Sequence, residues 1–376
     1  MQKPEINYFY NVVNDSSSLK MKTSKGKTEN GTKLKQNTKT GDEAQWLFMP
    51  VDMADESNSA DYYLFNRKAA KPCAPNEEKD DQTDVSIRIY SFNGRSPQKW
   101  TPEITEDTSL GGVITNQLSE KVIGIEGDST KEGKIIKQKE PEKNNSSRKW
   151  TLKAQEVFDL PELVEGTYKA GDIPSPPDPD EKGFVPEYSE HYLIGESFTP
   201  FYMVNDPDRD EENQIENTPY YVMRREQYWS LIDRVISDGS TPGKETYTYE
   251  EGVSKTTNTS IQETVGITIT ASLGFSYSGA SIGVEGTYSK QLQVQKDQGG
   301  TESSTITKES SFDTEKGDAR VYCIWQLLDV YTLENADGDE VKTWSDSTST
   351  IQKNSAVISK ENITQHLIKI GSTFEN

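Results

Sequence analysis

The sequence predicts an all-β protein in two parts, a closed barrel of three short repeats over residues 1–155 followed by an elongated β-sheet domain over residues 156–376. Three observations predict it. Tryptophans recur at Trp46, Trp100 and Trp150, and each ends a segment of similar grammar. No helical periodicity runs through those segments, and fixed-period self-similarity without it is the mark of a repeat built from strands. Finally, Val265 to Val294 alternate apolar with small or hydroxyl residues along two arms, as a half-buried β-hairpin does. Only 31% of the 376 residues are hydrophobic and mean hydropathy is −0.83, which points to thin cores rather than one large globule.

The three N-terminal units open on Tyr8-Phe9-Tyr10-Asn11-Val12-Val13-Asn14, Tyr62-Tyr63-Leu64-Phe65-Asn66 and Gly112-Val113-Ile114-Thr115-Asn116. A turn, a short strand and a polar loop follow. A further strand comes next (around Leu34, over Val85–Tyr90 and around Ile135), and then the tryptophan. Three units of four short strands predict a pseudo-threefold barrel. The unit ends read Ala44-Gln45-Trp46, Gln98-Lys99-Trp100 and Arg148-Lys149-Trp150. Here the chain resembles the ricin-B-like β-trefoil family, whose units end in Gln-x-Trp. The resemblance implies that Trp46, Trp100 and Trp150 are structural. It also implies that a sugar site would combine an aromatic, Asn and Gln amides, and an acid in an early turn. A pyranose offers an apolar face to the aromatic and hydroxyls to the amides. The second unit keeps Tyr90, Asn93 and Gln98 as candidates, whereas the early acid falls near Ala74-Pro75 and is missing.

Residues 156–190 read as a linker or strap, since Ile173-Pro174-Ser175-Pro176-Pro177-Asp178-Pro179-Asp180 can be neither helix nor central strand. Asp206-Pro207-Asp208-Arg209-Asp210 fails as a calcium loop, with Glu211 and Asn217 where glycine and glutamate are needed, and reads as a solvated acidic turn. Thr218 to Ile232 reads as a strand running into a short helix. Phe201-Tyr202-Met203-Val204-Asn205-Asp206-Pro207, with Thr218-Pro219-Tyr220-Tyr221 and Gln227-Tyr228-Trp229, resembles the binary-toxin-like (Toxin-10 type) insecticidal crystal proteins. That resemblance implies an N-terminal β-trefoil, a C-terminal aerolysin-type pore-forming domain, one tucked amphipathic hairpin, self-oligomerisation and a β-barrel pore.

Glu245–Tyr249 leads toward the hairpin, whose turn is expected at Ser278-Gly279-Ala280-Ser281 and whose Ser/Thr/Gln flanks, Thr256–Glu263 and Gln295–Ser311, would extend its strands. Each arm is about 13 residues, against the 9–11 that a membrane-spanning strand needs. In a barrel Val265, Ile267, Ile269, Leu273, Phe275, Ile282, Val284, Leu292 and Val294 would face lipid, and Thr268, Thr270, Ser272, Thr287, Ser289 and Gln291 the lumen. The monomer must hide the apolar face, because an exposed apolar ribbon aggregates. Arg320–Tyr331 reads as a buried strand, Asn335–Glu340 as a tight turn, Val341–Ile358 as a polar strand and Asn362–Ile370 as a closing strand or tail.

Charge is unevenly placed. Residues 1–155 carry 24 basic against 23 acidic side chains and residues 156–376 carry 17 against 39. Such a surface repels nucleic acid, and the isoelectric point of about 4.7 predicts least solubility near that pH and dissolution in alkali. No Gly-rich phosphate loop, nucleophile elbow or metal-ligand spacing is present, and His191 and His366 stand alone in sequence. No catalytic residue, metal or cofactor is therefore expected, and Cys73 and Cys323, in different parts of the chain, are expected to remain unpaired. No basic-then-apolar leader opens the chain, so a soluble or crystalline inclusion in a producing bacterium, released on lysis, is expected. The reading is a pore-forming toxin that binds a gut-cell receptor, plausibly a glycan, oligomerises and inserts into the target plasma membrane. The alternatives are a non-lytic lectin-like, storage or defence protein, and a component that needs a second toxin protein.

Overall fold

A computed structural model describes residues 3–51, 61–76, 81–103, 112–239, 243–252, 254–265, 267–270, 274–277, 292, 303–312 and 318–359. The first unit supplies β1 (Tyr8–Asn14), β2 (Lys20–Thr23), β3 (Leu34–Asn37) and β4 (Gln45–Pro50). The second supplies β5 (Tyr62–Asn66), β6 (Lys71–Pro75), β7 (Ile87–Ile89) and β8 (Lys99–Glu103). The third supplies β9 (Val113–Asn116), β10 (Val122–Ile125), β11 (Ile136–Lys139) and β12 (Trp150–Val157). Antiparallel pairing runs β12-β1-β4-β5-β8-β9, and a bridge from Gly112 to Trp150 closes the ring. The hairpins β2–β3, β6–β7 and β10–β11 cap one end, which is the β-trefoil arrangement.

The repeat is chemical as well as topological. Each tryptophan is fully buried, and its indole N–H donates at 2.9 Å to a backbone carbonyl of its own unit: Trp46 to Met21, Trp100 to Cys73 and Trp150 to Ile123. Each first strand ends in a buried asparagine, Asn14, Asn66 or Asn116, whose amide donates to two carbonyls at the end of a neighbouring unit. A buried polar group must find partners, so these contacts fix one geometry three times over.

The second part is a sheet ordered β13 (Tyr192–Pro200), β14 (Tyr220–Ser237), β19 (Arg320–Glu334), β20 (Glu340–Val357). Between β13 and β14 lies α1 (Glu211–Asn217), capped by the Asp210 side chain. Between β14 and β19 come β15 (Gly243–Glu251), α2 (Lys255–Val265), β16 (Ile267–Thr270), β17 (Gly274–Tyr277) and β18 (Ser304–Phe312). β14 and β20 each run 18 residues, roughly 60 Å at the usual rise per residue. One face of this sheet is covered at its lower half by the proline-bearing strap, through Ile173, Val185 and the Trp229 indole donating to the Pro174 carbonyl at 2.8 Å. Its upper half packs on the trefoil in one shared core that joins Phe9, Leu47, Met49, Tyr63 and Phe65 to Phe201, Tyr220, Tyr221, Met223, Tyr331 and Leu333. On the opposite face the β15–β18 pair packs Tyr247 and Tyr249 against Tyr322 and Ile324.

Three expectations are corrected. Residues 218–232 hold no helix, because β14 continues through them with Arg225, Gln227 and Trp229 alternating inward. Asp206 is not a solvated acid. It is 6% exposed and accepts from the Tyr221 hydroxyl at 2.8 Å and from Arg209. The Thr256–Glu263 tract is helix rather than strand extension, since Ile261 and Val265 stand four residues apart on one buried face and Ser254 accepts from the Thr257 amide. The Asn335–Glu340 turn and the strands on either side of it lie where expected, with Gly338 at φ +82°. Asn362–Ile370 lies outside the described residues.

Candidate functional site

Two places bring candidate residues together. In the trefoil, Tyr90 and Asn93 line a cleft of about 480 Å³ together with Asn30, Asn76, Arg88 and Phe92. The cleft lies between a loop of the first unit and one of the second, and Asn30 bridges them by accepting from the Ser91 amide at 2.9 Å. The Tyr90 hydroxyl donates to Asn76 at 3.1 Å. Gln98 is not in the cleft wall. It is 1% exposed, its carbonyl oxygen accepts from the Asn93 and Gly94 amides at 2.9 and 3.2 Å, and its amide donates to the Ser91 carbonyl at 2.9 Å. Gln98 thus shapes the loop that carries Asn93 rather than offering its amide outward. Asn30 escapes sequence reasoning because it comes from another unit, and Asn76 because it follows another strand. Arg88 stands two residues before Tyr90 in the same strand run, and alternation could have signalled it.

The second place is the covered face of the long sheet. Pairing sets Arg225 beside Tyr331 and Trp344, and Gln227 beside Asp329 and Asp346, in two adjacent rows across β14, β19 and β20. Arg225 and Asp329 are both fully buried and joined Nε to Oδ1 at 2.7 Å. The remaining reach of Arg225 goes to the hairpin segment, with Nη1 donating to the Leu292 carbonyl at 2.8 Å. Burial pulls the guanidinium down, but Tyr331, Asp329 and Asp346 more than reverse this and hold it well above its ordinary range. Asp346 is pushed up to about 7, first by burial and then by Asp329, against a weaker pull from the Ser347 amide and Arg225. One buried cation thus faces two carboxylates, of which Asp346 retains its proton up to near neutrality.

Over these rows lie both ends of the predicted hairpin. Val265 and Leu292 are fully buried in the shared core beside Ile261 and Trp344, and the Trp344 indole donates to Ser260 on α2 at 3.2 Å. Val265 closes α2 and is not in a strand, which differs from the sequence expectation. β16 and β17 pair Ile267 with Tyr277, Thr268 with Ser276, Ile269 with Phe275 and Thr270 with Gly274. The expected first arm therefore folds back within itself here, ahead of the expected turn. Leu273, Ile282, Val284 and Val294, and Ser272, Thr287, Ser289 and Gln291, lie outside the described residues. No helix among the described residues is long and apolar enough to cross a membrane. His191 stacks on Tyr228 with centroids 4.4 Å apart, and His366 lies outside the described residues. Cys73 and Cys323 are buried and unpaired, and burial raises both thiols.

Residues 192–357 match the family described as Insecticidal Crystal Toxin, P42. The chain is 26% identical over 290 residues to the insecticidal crystal protein Cry35Ab1 of Bacillus thuringiensis, covering 74% of this chain and 69% of that protein. It is 30% identical over 203 residues to the binary larvicide subunit BinA of Lysinibacillus sphaericus, covering 53% of this chain and about half, 52%, of that subunit. The crystal structure of Cry35Ab1 superposes with a TM-score of 0.75 at 19% identity, covering 98% of this chain and 94% of the other, so the two share their fold from end to end. Through a family match over residues 192–357, two insecticidal relatives and the fold it shares with Cry35Ab1, the chain is similar to the binary-toxin-like insecticidal crystal proteins.

Proposed function

We propose that this protein is an insecticidal pore-forming toxin. Its trefoil, residues 1 to about 155, engages a receptor glycan on a gut cell through the Tyr90–Asn93 cleft. Its second part, residues 156–376, oligomerises and inserts residues 265–294 as a transmembrane β-barrel. The observation that carries the reading is that Val265 and Leu292, near the two ends of this alternating segment, are buried on the family-matched sheet, Leu292 being fastened there by the Arg225 bond. An apolar ribbon destined for lipid needs such a cover until it meets a membrane. In the barrel the lipid face would be Val265, Ile267, Ile269, Leu273, Phe275, Ile282, Val284, Leu292 and Val294, with Thr268, Thr270, Ser272, Thr287, Ser289 and Gln291 toward the lumen.

The experiment is dye release from liposomes of gut-membrane lipid, with and without mild protease. Release with an SDS-resistant oligomer is the expected result. Ile269→Lys should abolish it, because a lysine at mid-bilayer costs about 2–4 kcal/mol per strand. Thr270→Lys should preserve release and change ion selectivity. Equal behaviour of the two variants would contradict the facing assignment. A second reading, a toxin component that acts only with a partner protein, is favoured by the likeness to a binary larvicide subunit. Release that appears only on adding a candidate partner would select it.

A further inference from the structure

The cap of the trefoil carries charge that the fold does not use. Around the pseudo-threefold axis its hairpins meet through three antiparallel bridges, Lys33 with Arg88, Lys35 with Ile135, and Ser86 with Lys137. Opposed residues in such bridges share a face. The neighbours Leu34, Ile87 and Ile136 are buried in the barrel, so by alternation this set faces outward. Four of its six members are cationic. Lys137 is neutralised by Asp84 and Glu126, each at 3.2 Å. Lys33, Lys35 and Arg88 have no carboxylate within 4 Å among the described residues.

Three cations without a carboxylate partner among the described residues thus share one face of a barrel segment whose charges otherwise nearly balance, 24 basic against 23 acidic. Solvated lysines on a trefoil need no ligand, but two further observations tie these to one. A second cleft, of about 500 Å³, holds Lys33, Lys35, Lys27 and Glu29, and it adjoins the Tyr90 cleft through the shared Asn30 and Gly31. At that seam a side chain on Gly31 would meet Arg88 Nη1 at 3.9 Å, so the guanidinium stands where the clefts join. The walls are set in advance: Arg88 Nε donates to Ser86 at 3.0 Å, and Asn30 is held by Ser91.

We infer that the two clefts form one site for an anionic glycan, with a sugar ring against Tyr90, its hydroxyls on Asn30 and Asn93, and a sulfate or carboxylate of the same or the next sugar between Arg88, Lys33 and Lys35. This deepens, and rests on, the reading of the trefoil as the glycan-binding part. The chemistry is complementary in each half: a pyranose face for the aromatic ring, and an anion for a guanidinium fork with flanking ammonium groups.

The test is binding of the full chain to immobilised heparin, fully desulfated heparin, dextran sulfate and dextran. Retention is expected on heparin, with affinity falling as salt rises at a logarithmic slope of about 2–3, as contact by three cations requires. Desulfated heparin isolates carboxylate recognition and dextran sulfate isolates sulfate recognition. Combining Lys33→Gln, Lys35→Gln and Arg88→Gln should weaken binding at least tenfold. Tyr90→Ala should weaken it and leave the salt slope unchanged. A control with the same charge change on exposed residues, Lys39→Gln, Lys143→Gln and Lys153→Gln, should bind as the parent does. Equal loss in the control set would mean unspecific charge attraction and overturn the site. Retention on dextran as strong as on the charged polymers would overturn the anionic assignment and keep glycan recognition. Absence of binding to every charged polymer while the chain still binds gut-cell membranes would also overturn it and leave a receptor role standing. Absence of both would sink the two together. Unchanged circular dichroism and melting temperature in the variants would show that lost binding is not lost folding.

Discussion

Asp346 and Asp329 sit side by side across β19 and β20 beneath the hairpin segment, with Arg225 as the cation facing them and the Ser347 amide behind. Two buried carboxylates against one guanidinium cannot both ionise cheaply. The ordinary value for Asp346 is 3.8 and burial beside Asp329 raises it to about 7. A carboxyl raised on folding contributes stability that is fully present below its unfolded value and is lost as pH climbs through the folded one. The window therefore lies between about pH 4 and 7, and above it the protein carries an unrelieved penalty on the order of 3–4 kcal/mol. Asp346→Asn should match the parent in stability near pH 3–4, gain on it through pH 5–7 and exceed it by a constant margin at pH 8–9. Urea midpoints across that range read the difference, and a difference that does not grow with pH would show that Asp346 is not the titrating group. At this scale the sequence was only partly legible. The three tryptophans and the Tyr90–Asn93 pair could be read, since each belongs to a repeat. The inward Gln227, Asp329 and Asp346 could not, because their rows exist only once β14, β19 and β20 are paired. Gln98 was visible as a polar residue near a motif, but only the fold shows that its amide is spent on the Ser91–Gly94 loop.

At the scale of elements, alternation sorts residues 267–277 into two sets and leaves their partners open. A period of two is unchanged when a strand is shifted by two residues, so the pattern says which residues share a face but not where the chain reverses. The fold reverses earlier than the Ser278-Gly279-Ala280-Ser281 stretch suggests, setting Ile267 opposite Tyr277. The helix α2 was hidden for a related reason. A Ser/Thr-rich tract favours strands on propensity, and just two apolar residues, Ile261 and Val265, mark its buried face. An arm folded on itself cannot span a bilayer, so insertion requires the Ile267–Tyr277 pairing to open. Ile267→Cys combined with Tyr277→Cys should therefore give a protein that, oxidised, binds target membranes without releasing dye, and that recovers release on reduction. The native Cys73 and Cys323 are buried and will not interfere. Full release from the oxidised form would mean that this short hairpin persists in the active state, and that other strands line the pore.

On the scale of the whole molecule, the trefoil and the long sheet are joined as one folding unit. Their apolar contact is continuous with the core under α2 and Leu292, so the cover on the hairpin segment depends on both parts. The polar edge of that contact is Arg67, 7% exposed, which lies over the Phe9 ring at 4.2 Å and forks onto Glu216 of α1, with Nε donating at 2.6 Å. Its other arm reaches Gln45 at 2.7 Å and Glu156, at the end of the barrel, at 2.5 Å. These bonds hold Arg67 above its ordinary range and Glu156 below its own. A planar guanidinium can fork onto Glu216 while its other nitrogen serves Gln45 and Glu156, and the compact ammonium of lysine cannot match that spread, so Arg67→Lys should recover little of what Arg67→Ala loses. Removing the fork and its packing on Phe9 should cost about 2 kcal/mol, less than a fully buried pair because Glu216 and Glu156 keep access to water. That loss falls on the joint between the two parts rather than on either core. The parent should then melt in a single calorimetric transition, and Arg67→Ala should split it, the long sheet with its α2 cover unfolding first and the trefoil later. The same variant should show faster amide exchange at Ile261 and Val265, because part of their burial comes from the trefoil side of the core. A single transition merely shifted to lower temperature, with exchange at α2 unchanged, would show that Arg67 only stabilises the barrel and that the hairpin cover stands on the long sheet alone.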